Sequence, residues 1–233
     1  ELRAITTAAV RMATNQKAFL ARVELETGIV FQVLSGKEEA YYDYLGVVST
    51  LAITDAVILD TGGASVELIA MRSGKNIDDV SLPFGAVSLS ERFKLANNVN
   101  PLDIENACKN IFKQYQTLSW LPEQRGLPVV LLGGANRSLA RMGRTALGKV
   151  TVNNFHGFNM TIEKVSAIFE KISHMTREQR ENIAGLESAR ADIIISGLLP
   201  LLTLMRIIDA PKVIFSESGV REGLIAETIK NNG

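Results

Sequence analysis

The sequence predicts an α/β fold, on three observations. β-type and helix-type segments alternate along the 233 residues. An apolar strand, Ala56 to Asp60, turns on glycines directly into a second strand from Ser65 to Met71. A further apolar strand, Val129 to Leu132, runs through Gly133-Gly134 into a helix reaching about Met142. Hydrophobic residues make up 46% and charged residues 21%, enough apolar surface to offset chain entropy and exclude disorder as the main state.

The elements follow in order. Residues 2–10, small and β-branched, read as a strand with Arg11 at its end. Residues 15–27 carry Phe19, Leu20 and Val23 at helical spacing, and Gly28 offers a C-cap. Residues 29–34 read as a strand. Ser35-Gly36-Lys37-Glu38 fits a capping box and opens a helix to about Thr50. In the strand after the glycine turn, Val66, Leu68 and Ala70 alternate with Glu67, Ile69 and Met71, so both faces are covered. Ser73 to Asn76 reads as a turn, and Asp79 to Leu82 pairs back. Residues 101–119, 161–173 and 176–188 read as helices, and 190–208 as a buried helix or helix pair around Pro200. Lys212 to Phe215 closes as a strand before a last helix from about Val220.

Charge excludes some functions. Lys plus Arg (25) equals Asp plus Glu (25), so no basic excess favours DNA, RNA or an anionic membrane. A polyanion must then be held by local charge and backbone donors. The apolar stretch from Asp192 to Arg206 is shorter than the ~20 residues a membrane span needs. One cysteine, Cys108, excludes an internal disulfide; with only two histidines there is no Cys/His zinc set, and a reducing cytoplasm is expected. His156 and His174 stand alone and read as structural or exposed. Glu1-Leu2-Arg3 does not read as a signal peptide, since no basic flank followed by an apolar core stands there.

Three segments carry chemistry. In Asp60-Thr61-Gly62-Gly63-Ala64-Ser65-Val66-Glu67, the glycines allow a nest of backbone amides for phosphate, and the Asp60 carboxylate beside it can hold a divalent cation. No Gly-Lys-Ser/Thr follows, so this is not a Walker loop. Strand–turn–strand with Asp at the entry points to the hairpin phosphate loops of actin-like ATPases; a plain glycine-turn hairpin reads equally well. In Glu38-Glu39 the cap occupies Glu38 and leaves Glu39 free, either as a general base or as a dipole complement on a solvated face. Gly133-Gly134 opens a helix N-terminus suited to an anion, with Arg137 and Arg141 at i, i+4, or simply permits close packing.

Taken in order, these segments resemble the exopolyphosphatase/guanosine pentaphosphate phosphatase family of the actin-like superfamily. Asp60 to Glu67 is similar to its D-x-G-G-G-S-x-E loop, and Ser35 to Ala40 to its S-G-x-E-E-A segment. Thr7 to Ala13 is similar to T-S-A-L-R-x-A, and Leu82 to Val87 to L-P-x-G-x-V. Arg190-Ala191-Asp192 with Gly197, and Ser218 to Gly223, resemble the closing motifs. The resemblance implies an actin-like, ribonuclease H-like fold of two lobes with a cleft between them. It further implies release of terminal phosphate from polyphosphate or guanosine pentaphosphate, a divalent cation such as Mg²⁺, and a homodimer. Glu39 then matches the general base and Glu67 the second carboxylate. Asp60 matches the cation ligand; Gly62, Gly63, Ser65, Gly133 and Gly134 the phosphate cradle; and Arg11 the contact to the polyanion.

Residues 1–53 are expected to form part of the first lobe, with the helix of 218–233 packed back on it, and 54–217 the second lobe, hinged near 51–55. The family's D-x-G-S-N-S loop has no counterpart, so the first lobe is expected to be incomplete. Ala64 replaces a third glycine, costing about 1 kcal/mol if that position needs φ > 0, and Ala135 stands where Thr or Ser is usual. Two competing readings remain: a polyphosphate- or nucleotide-binding sensor or scaffold without turnover, and an actin-like sugar or acid kinase.

Overall fold

The computed structural model describes residues 2–148 and 153–232. It opens with β1 (Ala4–Thr6), the one-turn helix α1 (Ala8–Arg11), α2 (Gln16–Thr27) and β2 (Phe31–Val33), with β1 and β2 pairing in parallel. The strand expected over 2–10 stops at Thr6. Val10 and Arg11 both donate their amides to the Thr7 carbonyl, so Arg11 closes a helical turn rather than a strand. Ala8 and Ala9 favour that turn, alanine being the best helix former. α2 ends at Gly28, which takes the left-handed conformation at φ 69° that glycine adopts without strain.

α3 (Gly36–Val48) begins on the expected capping box. The Glu38 amide donates to Ser35 Oγ at 3.2 Å, and the Ser35 amide donates to Glu38 Oε2 at 2.7 Å. Then come β3 (Ala56–Thr61), β4 (Val66–Arg72) and β5 (Lys75–Leu82), an antiparallel meander. α4 (Ala86–Phe93) starts inside the Leu82–Val87 segment matched to the family's turn and runs on through residues for which no element is expected, and α5 (Pro101–Tyr115) follows. β6 (Val129–Leu132) leads into α6 (Gly134–Ala146); β7 (Asn159–Thr161) and α7 (Ile162–Ser173) come next. The helix expected over 176–188 is only α8 (Arg177–Glu181), ending before the left-handed Gly185. α9 (Ile194–Ile207) is one helix that accommodates Pro200 internally, and β8 (Lys212–Phe215) and α10 (Val220–Asn232) complete the chain.

Among the described residues the larger sheet has the order β5-β4-β3-β6-β8-β7, with β3, β6 and β8 parallel. A three-strand meander followed by parallel strands is the ribonuclease H-like arrangement. Every residue of β6 is buried and β3 is almost wholly so, because helices cover both faces. On one face α4, α5, α6, α7 and α9 build the main core around Leu59, Leu68, Leu131 and Leu198. On the other, α3 packs Ala40 and Val47 against Ile58, Ile69, Val130 and Leu132. α10 lies along α3, where Gly223 lets its backbone meet the Tyr42 carbonyl. No helix among the described residues is long and apolar enough to cross a membrane.

Candidate active site

The site forms where α3 crosses the ends of β3, β4 and β5. With Glu38 held at the cap, Glu39 turns towards the sheet and is only 7% exposed. Arg11 Nη1 donates to Glu39 Oε2 at 3.0 Å and to the Leu34 carbonyl at 2.7 Å. Arg11 therefore fixes the Glu39 carboxylate against β2, and Oε1 carries no hydrogen bond among the described residues. Four residues on, one helical turn along the same face, lies Asp43, fully buried.

The sheet supplies two more carboxylates. Asp60 on β3 stands opposite Glu67 on β4, and Glu67 stands opposite Ser81 on β5, so the three side chains form a row on the face that α3 covers. Ser81 Oγ donates to Glu67 Oε1 at 2.7 Å. Both Asp43 oxygens, Asp60 Oδ1 and Glu67 Oε2 are buried without a hydrogen-bond partner among the described residues. Carboxylate oxygens of Asp43, Asp60 and Glu67 lie within 4.8 Å of one another.

Like charges so arranged and so dry oppose ionisation. Burial, then the Glu39 and Asp60 charges, push Glu67 up to about 8. Burial and Glu39 push Asp60 up to about 6, with Arg137 pulling the other way. Asp43 is raised well above the ordinary range, chiefly by burial and then by Asp60 and Glu67. Folding alone gives no reason to concentrate four carboxylates against two guanidiniums, Arg11 and Arg137. A divalent cation does: the unpartnered oxygens are hard ligands of the kind Mg²⁺, Mn²⁺ or Ca²⁺ takes, so the residues present fit such an ion.

The glycine loop after β3 is set by α4. The Ala86 amide donates to the Gly62 carbonyl and the Val87 amide to the Gly63 carbonyl, each at 2.9 Å. In a trans peptide the carbonyl and the next amide point in opposite directions, so the Gly63 and Ala64 amides face away from α4. Neither has a hydrogen-bond partner among the described residues. The Gly62 amide is already spent on the Ser65 carbonyl at 3.0 Å, so Gly62 shapes the turn and offers no free donor. Ser65 is buried beside Glu67, and its hydroxyl favours the Glu67 carboxylate. Ala64 does not have a positive φ, so the cost foreseen for losing a third glycine does not arise.

The second glycine pair meets the first site directly. Gly133 has φ 88°, and a Cβ there would strike the Thr61 carbonyl and come within 2.5 Å of Asp60 Oδ1. At Gly134 a Cβ would strike the Arg190 guanidinium, which lies across the start of α6 and is bound to Glu187 at 2.6 Å. Ala135 packs against Gly197, leaving little room for the usual Thr or Ser. Asp43, Asp60, Gly133, Arg137, Glu217 and Arg221 line a polar cleft of about 280 Å³. A larger groove of about 670 Å³ between α5, α7 and α9 is apolar and contains none of these carboxylates.

The structure thus gathers Arg11, Glu39, Asp60, Glu67, the Gly62–Ser65 loop and Gly133-Gly134 into one place. Sequence reading missed Asp43 and Ser81. The available signal for Asp43 was its i+4 spacing from Glu39. For Ser81 it was the β5 register.

A model of the Ppx/GppA phosphatase family matches residues 1–232. The chain is similar to the solved structure of the Aquifex aeolicus PPX-GPPA enzyme at 26% identity and TM-score 0.81, covering 97% of this chain and 74% of that one. A second structure of an Aquifex aeolicus family member gives 28% identity and TM-score 0.79, with 99% and 75% covered. An exopolyphosphatase from Cytophaga hutchinsonii shares the fold at TM-score 0.87 and 21% identity, covering 98% and 75%.

Proposed function

The chain belongs to the Ppx/GppA phosphatase family, and on that premise we propose that it is a phosphohydrolase releasing terminal phosphate from inorganic polyphosphate or guanosine pentaphosphate. One observation carries the reading. Glu39, pinned by Arg11 through one oxygen only, shares a helix face with Asp43 and faces the unpartnered carboxylates of Asp60 and Glu67 beside a loop with free amides.

Glu39 Oε1 accepts a proton from the attacking water as general base. The Gly63 and Ala64 amides, with the α6 N-terminus after Gly133, hold the phosphoryl oxygens, and Arg137 adds charge. Asp60 and Glu67, joined by Asp43, hold a divalent cation, with Mg²⁺ the expected ion. When bound, that ion neutralises charge on the transferred phosphoryl group. Ser81 keeps Glu67 oriented towards Asp60. Residues 1–53 with 218–233 belong to one lobe and 54–217 to the other, with α3 packed across onto the sheet of the second so that Glu39 and Asp43 meet Asp60 and Glu67. The family resemblance favours a homodimer, and the single cysteine, Cys108, a reducing cytoplasm.

The test is phosphate release with Mg²⁺ from long-chain polyphosphate and from guanosine pentaphosphate, using the complete gene product and, beside it, residues 1–233. Glu39→Gln runs in parallel. Release that is lost in Glu39→Gln supports the hydrolase and the base, and the ratio of the two rates names the substrate. A folded protein that binds polyphosphate and turns over neither compound overturns the reading in favour of a sensor.

A further inference from the structure

His156, read from sequence as an isolated structural residue, makes two hydrogen bonds that define its chemistry. The Glu217 amide donates to Nδ1 at 3.2 Å, and Nε2 lies 3.1 Å from the Thr50 carbonyl. A backbone amide can only donate and a carbonyl can only accept. Nδ1 must therefore carry the lone pair and Nε2 the proton, so the two partners alone select the neutral Nε2–H tautomer.

Both partners lead to the cleft. Thr50 terminates α3: its hydroxyl donates to the Gly46 carbonyl at 2.8 Å and its amide to the Val47 carbonyl at 3.1 Å. α3 carries Glu39 and Asp43. Glu217 belongs to the Ser216–Gly219 loop, whose Ser216 and Gly219 line the cleft beside Asp43 and Asp60. That loop already touches α3, since a Cβ on Gly46 would strike the Gly219 carbonyl, and one on Gly219 would lie 3.1 Å from Asp43 Oδ1. The imidazole is itself held in place. The Gly157 amide donates to Phe215 at 2.8 Å, the Phe215 amide donates to Phe158 at 2.8 Å, and the rings of Phe158 and Phe215 stack at 5.7 Å.

We infer that His156 is a positioning residue that ties the C-terminal end of α3 to the Ser216–Gly219 loop and so sets the spacing of the carboxylate cleft. Its ring fixes the plane of the 216–217 peptide from outside the cleft, and its hydrogen bonds go to the Glu217 amide and the Thr50 carbonyl, not to the carboxylates. Its consequence for turnover rests on the reading of the cleft as a phosphohydrolase site; the tie itself does not.

The test separates the two. Amide hydrogen exchange is measured on the full chain for wild type, His156→Ala, His156→Asn and His156→Gln, together with kcat and KM for polyphosphate. Asn offers an oxygen where Nδ1 stood and keeps the Glu217 bond; Gln offers an N–H where Nε2 stood and keeps only the Thr50 bond. In His156→Ala, exchange at Glu217 and at residues 48–50 rises together by about 10-fold. In the same variant kcat falls about 10-fold with KM within about 2-fold. Asn restores slow exchange at Glu217 but not at residues 48–50, and Gln does the reverse. Unchanged exchange in His156→Ala overturns the tie. Faster exchange with unchanged kcat overturns the positioning role. A fall in kcat shared equally by all three variants, with no selective rescue of exchange, also overturns it. If wild type releases no phosphate, the proposed function fails, and the exchange pattern alone decides whether the tie exists.

Discussion

Arg11 binds Glu39 at 3.0 Å while its same nitrogen binds the Leu34 carbonyl at 2.7 Å, so a residue of the first helical turn and the end of β2 jointly aim the candidate base. The pair is largely buried, with side-chain exposures of 22% and 10%. Arg11→Met leaves Glu39 without its donor, and this is expected to lower stability by about 1–3 kcal/mol in urea unfolding. Adding Glu39→Gln should recover part of that loss, because the unpaired charge is gone. Strict additivity of the two substitutions would show that the pair contributes no coupling.

The carboxylate cluster gives the metal-free protein an unusual pH profile. Glu67 is pushed from 4.5 to about 8 and Asp60 from 3.8 to about 6, with Asp43 raised as well. A raised carboxyl binds its proton more tightly folded than unfolded. The stability it gives is therefore complete below the unfolded value and is lost as pH climbs through the folded one. With a chelator present, the melting temperature should fall steadily between about pH 5 and about pH 8. Added Mg²⁺ or Mn²⁺ should reverse the slope, since binding displaces those protons and strengthens with pH. A flat chelated profile would mean the groups are not coupled as described.

Asp43→Asn should act with opposite signs in the two states. Without metal it removes a carboxyl whose ionisation is opposed by burial and by Asp60 and Glu67, and raises the melting temperature at pH 8; with metal it removes a ligand and weakens Mn²⁺ binding about 10- to 100-fold by calorimetry. A core aspartate with no metal role would show the first effect without the second.

The parts of this site legible in sequence are those whose signals are local. The Ser35–Glu38 cap identified Glu39 as the free carboxylate, and an apolar strand running into Gly62-Gly63 marked Asp60. Asp43 carried only its i+4 spacing from Glu39, because the rotation of α3 over the sheet, set by Ala40 and Val47 packing on Ile58 and Val130, decides that this face points inward. α4 was hidden for a related reason. Gly85 precedes it in place of a capping side chain, and the carbonyls of Gly62 and Gly63 receive its first amides from across the fold. β1 was overextended because β-branched Ile5, Thr6 and Thr7 lead without a break into alanines. The pairing of His156 with Thr50 and Glu217 spans separations of 106 and 61 residues and leaves no local trace.

Ala64 tests how the loop holds its shape. Its φ is not positive, so restoring a glycine relieves no strain and only adds freedom to the unfolded chain. Ala64→Gly should destabilise by about 0.4–1 kcal/mol. A stabilised variant would show that the loop strains alanine after all.

Gly133 and Gly134 are neighbours with different reasons for being glycine, and alanine substitutions should separate them. At Gly133 the backbone is left-handed, and the new methyl would meet the Thr61 carbonyl and Asp60, neither of which can move without disturbing β3. Gly133→Ala should cost about 2–4 kcal/mol and shift Asp60, weakening Mn²⁺ binding as well. At Gly134 φ is not positive, and the obstacle is the far end of a flexible side chain, the Arg190 guanidinium. Arg190 can swing aside while keeping or exchanging its contact with Glu187. Gly134→Ala should therefore cost less than about 1.5 kcal/mol and leave Mn²⁺ affinity within about 3-fold of wild type. It should nevertheless move Arg190 off the start of α6, and a lower affinity for inorganic phosphate, measured without turnover, would report that displacement. Equal stability losses at the two positions would show that Arg190 is locked, and that the second glycine pair is fixed by packing alone.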